Sequence, residues 1–153
     1  MTFTAPDPLA MGTRRGSIDP GVLLYMPPAG KMSPGDIEHM LYERSGLLGV
    51  SGLSGDMRVL LATDLPSARE AVDLFVFRIG FGMDALAASP GGLDGLVFTA
   101  GIGEHAPEIR AAMCGRLRWL GVDPGVSDAR VEVHVIPTDE EAMIARHTIG
   151  TIA

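Results

Sequence analysis

Residues 93–105 read LDGLVFTAGIGEH. A short apolar run over 93–99 passes straight into Gly101-Ile102-Gly103, which predicts a buried strand ending in a glycine turn. The next segment, 107–120, carries Ile109, Met113, Leu117 and Leu120 on one helical face, with Gly121 closing it. Residues 131–136 alternate Val, Glu, Val, His, Val, Ile and predict a second strand, stopped by Pro137. A last helix follows through His147. Thr138 is expected to cap it, because Thr138-x-x-Glu141 has the spacing of a capping box. Strand, helix, strand in this order makes an α/β pattern with two adjacent parallel strands. Sheets usually have about 4–6 strands, so more strands are expected from outside this stretch.

Upstream, Pro66 to Ala88 is the longest predicted helix. Ala68, Val72, Phe75, Ile79, Met83 and Leu86 recur at spacings of three and four, Pro66 suits the first turn, and Pro90-Gly91-Gly92 ends it. Residues 45–58, SGLLGVSGLSGDMR, carry glycines at 46, 49, 52 and 55, which deny the stretch a long helix. Ser33-Pro34-Gly35-Asp36 starts a helix running to about Arg44, with Ser33 as cap and Asp36 and Glu38 at the positive end of the dipole. Residues 1–35 are rich in proline and glycine and read as loops with one short helix near Pro20–Tyr25. No internal repeat and no second domain boundary is visible, so the 153 residues read as one domain at most.

The formal net charge of −7 argues against a nucleic-acid surface, which needs a basic patch. It leaves nucleotides open, since glycine loops hold phosphate through backbone N–H groups. The single cysteine, Cys114, excludes a disulfide within the chain and a zinc site of several cysteines, and its apolar helical setting reads as a structural thiol. The first 15 residues lack a signal-peptide pattern and no run of 18 apolar residues occurs, so a cytoplasmic protein that spans no membrane is expected.

Four segments can carry chemistry. Thr99 to His105 leaves a strand end and enters a helix, where open α/β sheets bind ligands; a tight strand–helix turn explains the same glycines. Ser54-Gly55-Asp56-Met57-Arg58 can hold a ribose and a phosphate or base, or it is a solvated ion pair at a helix start. Residues 11–20, MGTRRGSIDP, place Arg14 and Arg15 between glycines, suited to charge on a transferring phosphoryl group or to a plain surface loop. Pro137-Thr138-Asp139-Glu140-Glu141 sets acids at a helix start. That favours the helix dipole without any metal, although one carboxylate can cap while a neighbour binds magnesium. His39, His134 and His147 share no metal spacing.

In their order, the stretches MGTRRGSIDPG, SGLLGVSGLSGDMR, GGLDGLVFTAGIGEH and VIPTDEEAMIAR resemble the C-terminal half of the acetate kinase (acetokinase) family. The resemblance covers nearly the whole chain. It implies a ribonuclease-H-like α/β domain of the acetate and sugar kinase, Hsp70 and actin superfamily, here a partial C-terminal nucleotide-binding domain over 1–153. It also implies phosphoryl transfer from ATP to acetate with Mg2+. Residue by residue, Arg14 corresponds to the arginine that stabilises the transferring phosphoryl. Asp56, Met57 and Arg58 correspond to a nucleotide-binding stretch, with Asp56 near the ribose. Gly101, Ile102, Gly103, Glu104 and His105 correspond to the loop around adenosine, and Glu140 to the magnesium-site glutamate. A homodimer through this domain is implied as well.

The sequence departs from the family pattern at His105, where the family loop has asparagine, and at Thr2 and Pro8, which replace glycines. The family's N-terminal domain and the first strands of its C-terminal domain have no counterpart in these residues. With them are missing the carboxylate-binding arginine, the catalytic aspartate and histidine and the loop for the ATP phosphates. The chain alone is therefore expected to show little or no activity unless an N-terminal half completes it, and its strands are expected to leave an apolar edge unpaired. A non-catalytic remnant that binds nucleotide weakly, and a propionate or butyrate kinase, are the alternative readings.

Overall fold

The computed structural model describes residues 9–26, 32–126 and 129–152. Thr2 and Pro8 lie outside the described residues. The chain divides into two compact units that meet in sequence at Gly91 and Gly92. The sequence marks this division only by the Pro90-Gly91-Gly92 helix stop.

The first unit is helical: α1 (Pro20–Tyr25), α2 (Pro34–Glu43), α3 (Gly46–Ser51), α4 (Met57–Leu61) and α5 (Pro66–Ala88). The α2 start is the expected one. Ser33 accepts from the Asp36 N–H while the Asp36 carboxylate accepts from the Ser33 N–H, a reciprocal capping box. The glycine-rich stretch does not form one long helix but two short ones. Gly52, at φ +63°, ends α3 in the left-handed region, and Asp56 opens α4 by accepting from the Arg58 N–H.

Helix α5 has the expected bounds, but its buried face is rotated from the expected stripe. Ala68, Ala71, Phe75, Val76, Gly80 and Ala87 are buried, whereas Leu86 is 75% exposed. Both α3 and α4 pack on α5, burying Leu47, Met57 and Leu60. Small residues at 68 and 71 let those helices approach closely, so the seam runs through alanines rather than through the largest apolar side chains.

The second unit holds β1 (Gly95–Phe98), α6 (Ala100–His105), α7 (Pro107–Arg116), a 3-10 turn (Arg118–Leu120), β2 (Glu132–Val135) and α8 (Glu140–Ile152). The strands are parallel as expected, with Gly95 opposite Glu132 and Phe98 opposite Val135. Among the described residues the sheet has these two strands alone. Leu96, Phe98, Ile109, Met113, Cys114, Leu117, Val122 and Val131 form its core, while Val97 and Val135 stay exposed.

The structure corrects four expectations in this unit. The glycine turn is a short helix, α6. The 107–120 helix ends at Arg116: the Leu117 N–H is shared between the Met113 and Cys114 carbonyls, the chain tightens into a 3-10 turn, and Gly121 at φ +94° stops it. The last helix is capped by Asp139, whose carboxylate accepts from the Ala142 N–H, and not by Thr138, whose hydroxyl is engaged elsewhere. That helix also continues past His147 to Ile152. No helix among the described residues is long and apolar enough to cross a membrane.

Candidate functional site

The first unit presents Arg14 on a loop built almost entirely from backbone. The N–H groups of Ser45, Leu47 and Leu48 donate to the carbonyls of Thr13, Met11 and Gly12, each at 2.9 Å. The loop thus satisfies the orphan donors of the α3 N-terminus, where Ser45 makes no side-chain cap. Within the loop the Met11 N–H donates to the Arg14 carbonyl at 3.1 Å, and the Arg15 N–H reaches the Leu41 carbonyl at 3.0 Å. Gly46 makes this docking sterically feasible. It sits at φ +62°, and a Cβ there would stand 2.1 Å from the Met11 oxygen and 2.6 Å from the Arg14 oxygen. Arg14 itself is exposed, its guanidinium 5.9 Å from the centre of the Tyr42 ring.

Gly12 also faces Gly55. A Cβ on either would meet the other's carbonyl oxygen, at 2.8 Å and 2.7 Å respectively. The two glycines therefore bring the arginine loop against the Ser54–Arg58 turn. Buried Ser51 shapes that turn by accepting from the Leu53 and Ser54 N–H groups and donating to the Ser54 carbonyl. Asp56 and Arg58 form a fork: Nε to Oδ1 at 3.1 Å and Nη2 to Oδ2 at 2.6 Å. The Arg58 side chain and backbone N–H hold the Asp56 carboxyl below its ordinary range, and Asp56 in turn raises Arg58. The ion-pair reading of this stretch is what the structure shows. Met57 is 4% exposed, and its side chain belongs to the core where α4 packs on α5.

The second unit gathers its candidates at the C-terminal ends of its two strands. An open cleft of about 500 Å³ is lined by Ala100, Gly101, Glu104 and His105 from α6 and by residues 138–141 at the start of α8. The two glycines of α6 have different surroundings. A Cβ at Gly103 would lie 3.4 Å from the Phe98 carbonyl carbon, at the near edge of ordinary van der Waals contact. A Cβ at Gly101 would meet nothing within 4 Å, so neither packing nor a positive φ accounts for that glycine. Ala100 lies at φ +59°, a conformation costing an alanine about 1–2 kcal/mol. Thr138 holds it there. Its hydroxyl accepts from the Ala100 N–H at 2.9 Å and shares a short hydrogen bond with the Thr99 hydroxyl.

The Glu104 carboxylate accepts from the Thr138 N–H at 2.9 Å, which chiefly holds this acid below its ordinary range. Ile102 and Gly103 are half-buried, and His105 is exposed at the cleft rim. Among the described residues no three His, Cys, Asp or Glu side chains gather as a metal cluster. Magnesium needs only one or two carboxylates beside phosphate oxygens and water, and exposed Glu140 and Glu141 on the cleft wall fit that modest demand. Asp139 is committed to capping α8.

Sequence reading missed the structural parts played by Gly46, Ser51, Tyr42 and Thr138. In sequence Gly46 stood out only as one of four glycines that deny the stretch a long helix.

A model of the acetokinase family matches residues 1–146. Acetate kinase of Rhodopseudomonas palustris strain TIE-1 is 53% identical over 96% of this chain and 40% of its own length. Acetate kinase of Nitrobacter hamburgensis is 51% identical over 99% of this chain and 41% of its own. The crystal structure of Porphyromonas gingivalis acetate kinase superposes with a TM-score of 0.86 at 34% identity, over 98% of this chain and 42% of that one. A propionate kinase from Francisella tularensis gives a TM-score of 0.80 at 35% identity, over 91% and 40%. The chain thus spans about two fifths of the length of the relatives it matches. Arginine loop, Asp56 turn, strand-end cleft and α8 acids all fall within the matched residues, and the chain belongs to the acetokinase family.

Proposed function

We propose that the chain supplies the nucleotide side of a kinase that passes the γ-phosphoryl group of ATP to acetate, giving acetyl phosphate and ADP. The observation that carries the reading is Gly101. It lines a cleft shared with Glu140, with nothing within 4 Å of where a Cβ would stand, at the C-terminal ends of two parallel strands, in a chain whose relatives are acetate kinases.

In this reading Gly101 lets the flat adenosine approach the backbone, with His105 at the rim. Glu140, with Glu141 beside it, would hold Mg2+, which when bound neutralises charge on the phosphate oxygens. Arg14 carries a permanent charge on a fixed, exposed loop and donates to oxygens of the transferring phosphoryl group. The exposed Asp56–Arg58 fork opens to water readily, which frees Asp56 for a ribose hydroxyl and Arg58 for phosphate. A cytoplasmic location and a homodimer belong to the same proposal.

Calorimetric titration of the chain with ADP, with and without magnesium, tests it. Binding that magnesium tightens, and that loses this gain in Glu140→Ala, supports the assignment; absence of binding overturns it. The closed Asp56–Arg58 fork favours a second reading, a non-catalytic fragment that binds nucleotide weakly or not at all. Co-expression with an N-terminal half, followed by trapping acetyl phosphate as its hydroxamate, separates the two. Repeating that assay with propionate and butyrate addresses the acceptor, because a propionate kinase is as similar in sequence as an acetate kinase among the solved structures.

A further inference from the structure

We infer that Glu104 and Thr138 form a latch that fixes Glu140 relative to the glycine-bearing helix α6, so that Glu104 is a positioning residue rather than a ligand contact. What the latch positions rests on the nucleotide reading above. The latch itself rests on hydrogen bonds.

The β ladder ends when the Ile136 N–H donates to the Phe98 carbonyl at 2.9 Å. Pro137 then has no N–H to give. Thr138 makes the next ties across to the β1–α6 side. Its N–H donates to the Glu104 carboxylate, and its hydroxyl pairs with the Thr99 hydroxyl and accepts from the Ala100 N–H. Two residues later Glu140 begins α8. Beyond Ala142, each described side chain of that helix is exposed, so burial does little to hold its first turn. The other end of the latch is firm. Arg110 of α7 donates one nitrogen to the carbonyls of Gly103 and Glu104, at 2.9 and 2.8 Å, anchoring the C-terminal end of α6. A continuous path therefore runs from α7 through α6 and Glu104 to Thr138 and on to Glu140. The left-handed Ala100 lies on it, held in a costly conformation by the same threonine.

Amide hydrogen exchange on the whole chain reads the latch without any ligand. Loss of a charged acceptor should raise exchange across 138–142 by about tenfold or more in Glu104→Ala, with α7 amides unchanged. Glu104→Gln keeps an acceptor oxygen and should stay near wild type. Unchanged exchange at 138–142, or a rise that spreads equally through α7, would overturn the latch.

Its purpose is read by ADP titration of Thr138→Val and Thr138→Ser. The valine variant should lose most of the magnesium-dependent gain while magnesium-free affinity moves by less than about twofold, and serine should restore the gain. Equal weakening in both conditions marks a merely structural role and refutes the positioning. If the wild-type chain binds no ADP, the nucleotide reading fails, and with it the positioning of Glu140 for a nucleotide-bound metal; the exchange pattern still decides the latch by itself.

Discussion

The arginine loop of the first unit and the strand-end cleft of the second are held in opposite ways. Carbonyls and N–H groups sew the loop to α3, and glycines at 12, 46 and 55 provide the room. Side-chain atoms of Thr99, Glu104, Thr138 and Asp139 set the cleft. Backbone bonds tolerate changes of side chain but no added volume. Side-chain bonds tolerate volume but no change of chemistry. A substitution should therefore act through shape in one region and through hydrogen bonding in the other.

Gly46→Ala is the severest way to test this contrast. A methyl group 2.1 Å from the Met11 oxygen, at a positive φ, should cost about 3 kcal/mol or more in denaturant unfolding. Near-native stability would show that the loop yields and that the contrast is wrong. Gly101→Ala should do the reverse. With open space and no positive φ, it should leave stability unchanged or raise it by up to about 1 kcal/mol, yet weaken ADP binding severalfold in titration.

Asp139→Ala removes the α8 cap and should cost about 1 kcal/mol, seen as faster amide exchange confined to the first turn of that helix. The smallest effect is one of pH. Because Glu104 is held below its ordinary 4.5, chiefly by the Thr138 N–H, its contribution is complete above that value and is lost as pH falls through the lower folded value. Protection at 138–142, measured against the intrinsic exchange rate at each pH, should fall slightly on acidification through that window, while protection of the Ser45, Leu47 and Leu48 amides, which donate to carbonyls, should show no matching change.

Local signals made much of the fold legible. Pro66 and Pro90-Gly91-Gly92 bracket α5, and Ser33 with Asp36 caps α2, because both devices act within a few residues. The parallel strands followed from apolar runs separated by a helical pattern. What stayed hidden depends on partners far along the chain. Thr138 has the spacing of a cap, yet its hydroxyl is taken by Thr99 and Ala100, nearly forty residues away, and Asp139 inherits the capping role. The α5 seam was misjudged because periodicity weights large apolar side chains, while close helix approach selects alanine. For the candidate site, residue chemistry singles out Arg14, Asp56, Arg58 and Gly101, while only the family resemblance picks Glu140 from its acidic neighbours. Met57 looked the same in sequence, and only packing shows that its side chain points inward.

The Gly12–Gly55 contact has a consequence for variation. Each glycine is the other's steric ceiling, so neither position can accept a side chain by adjusting alone. In a library randomised at both positions and sorted only for folded protein, glycine should return at both together. At position 101 the same sort should pass alanine and serine freely, and only a second sort on immobilised nucleotide should remove them. Two selections applied to glycines of one chain would then separate those kept for architecture from those kept for a ligand.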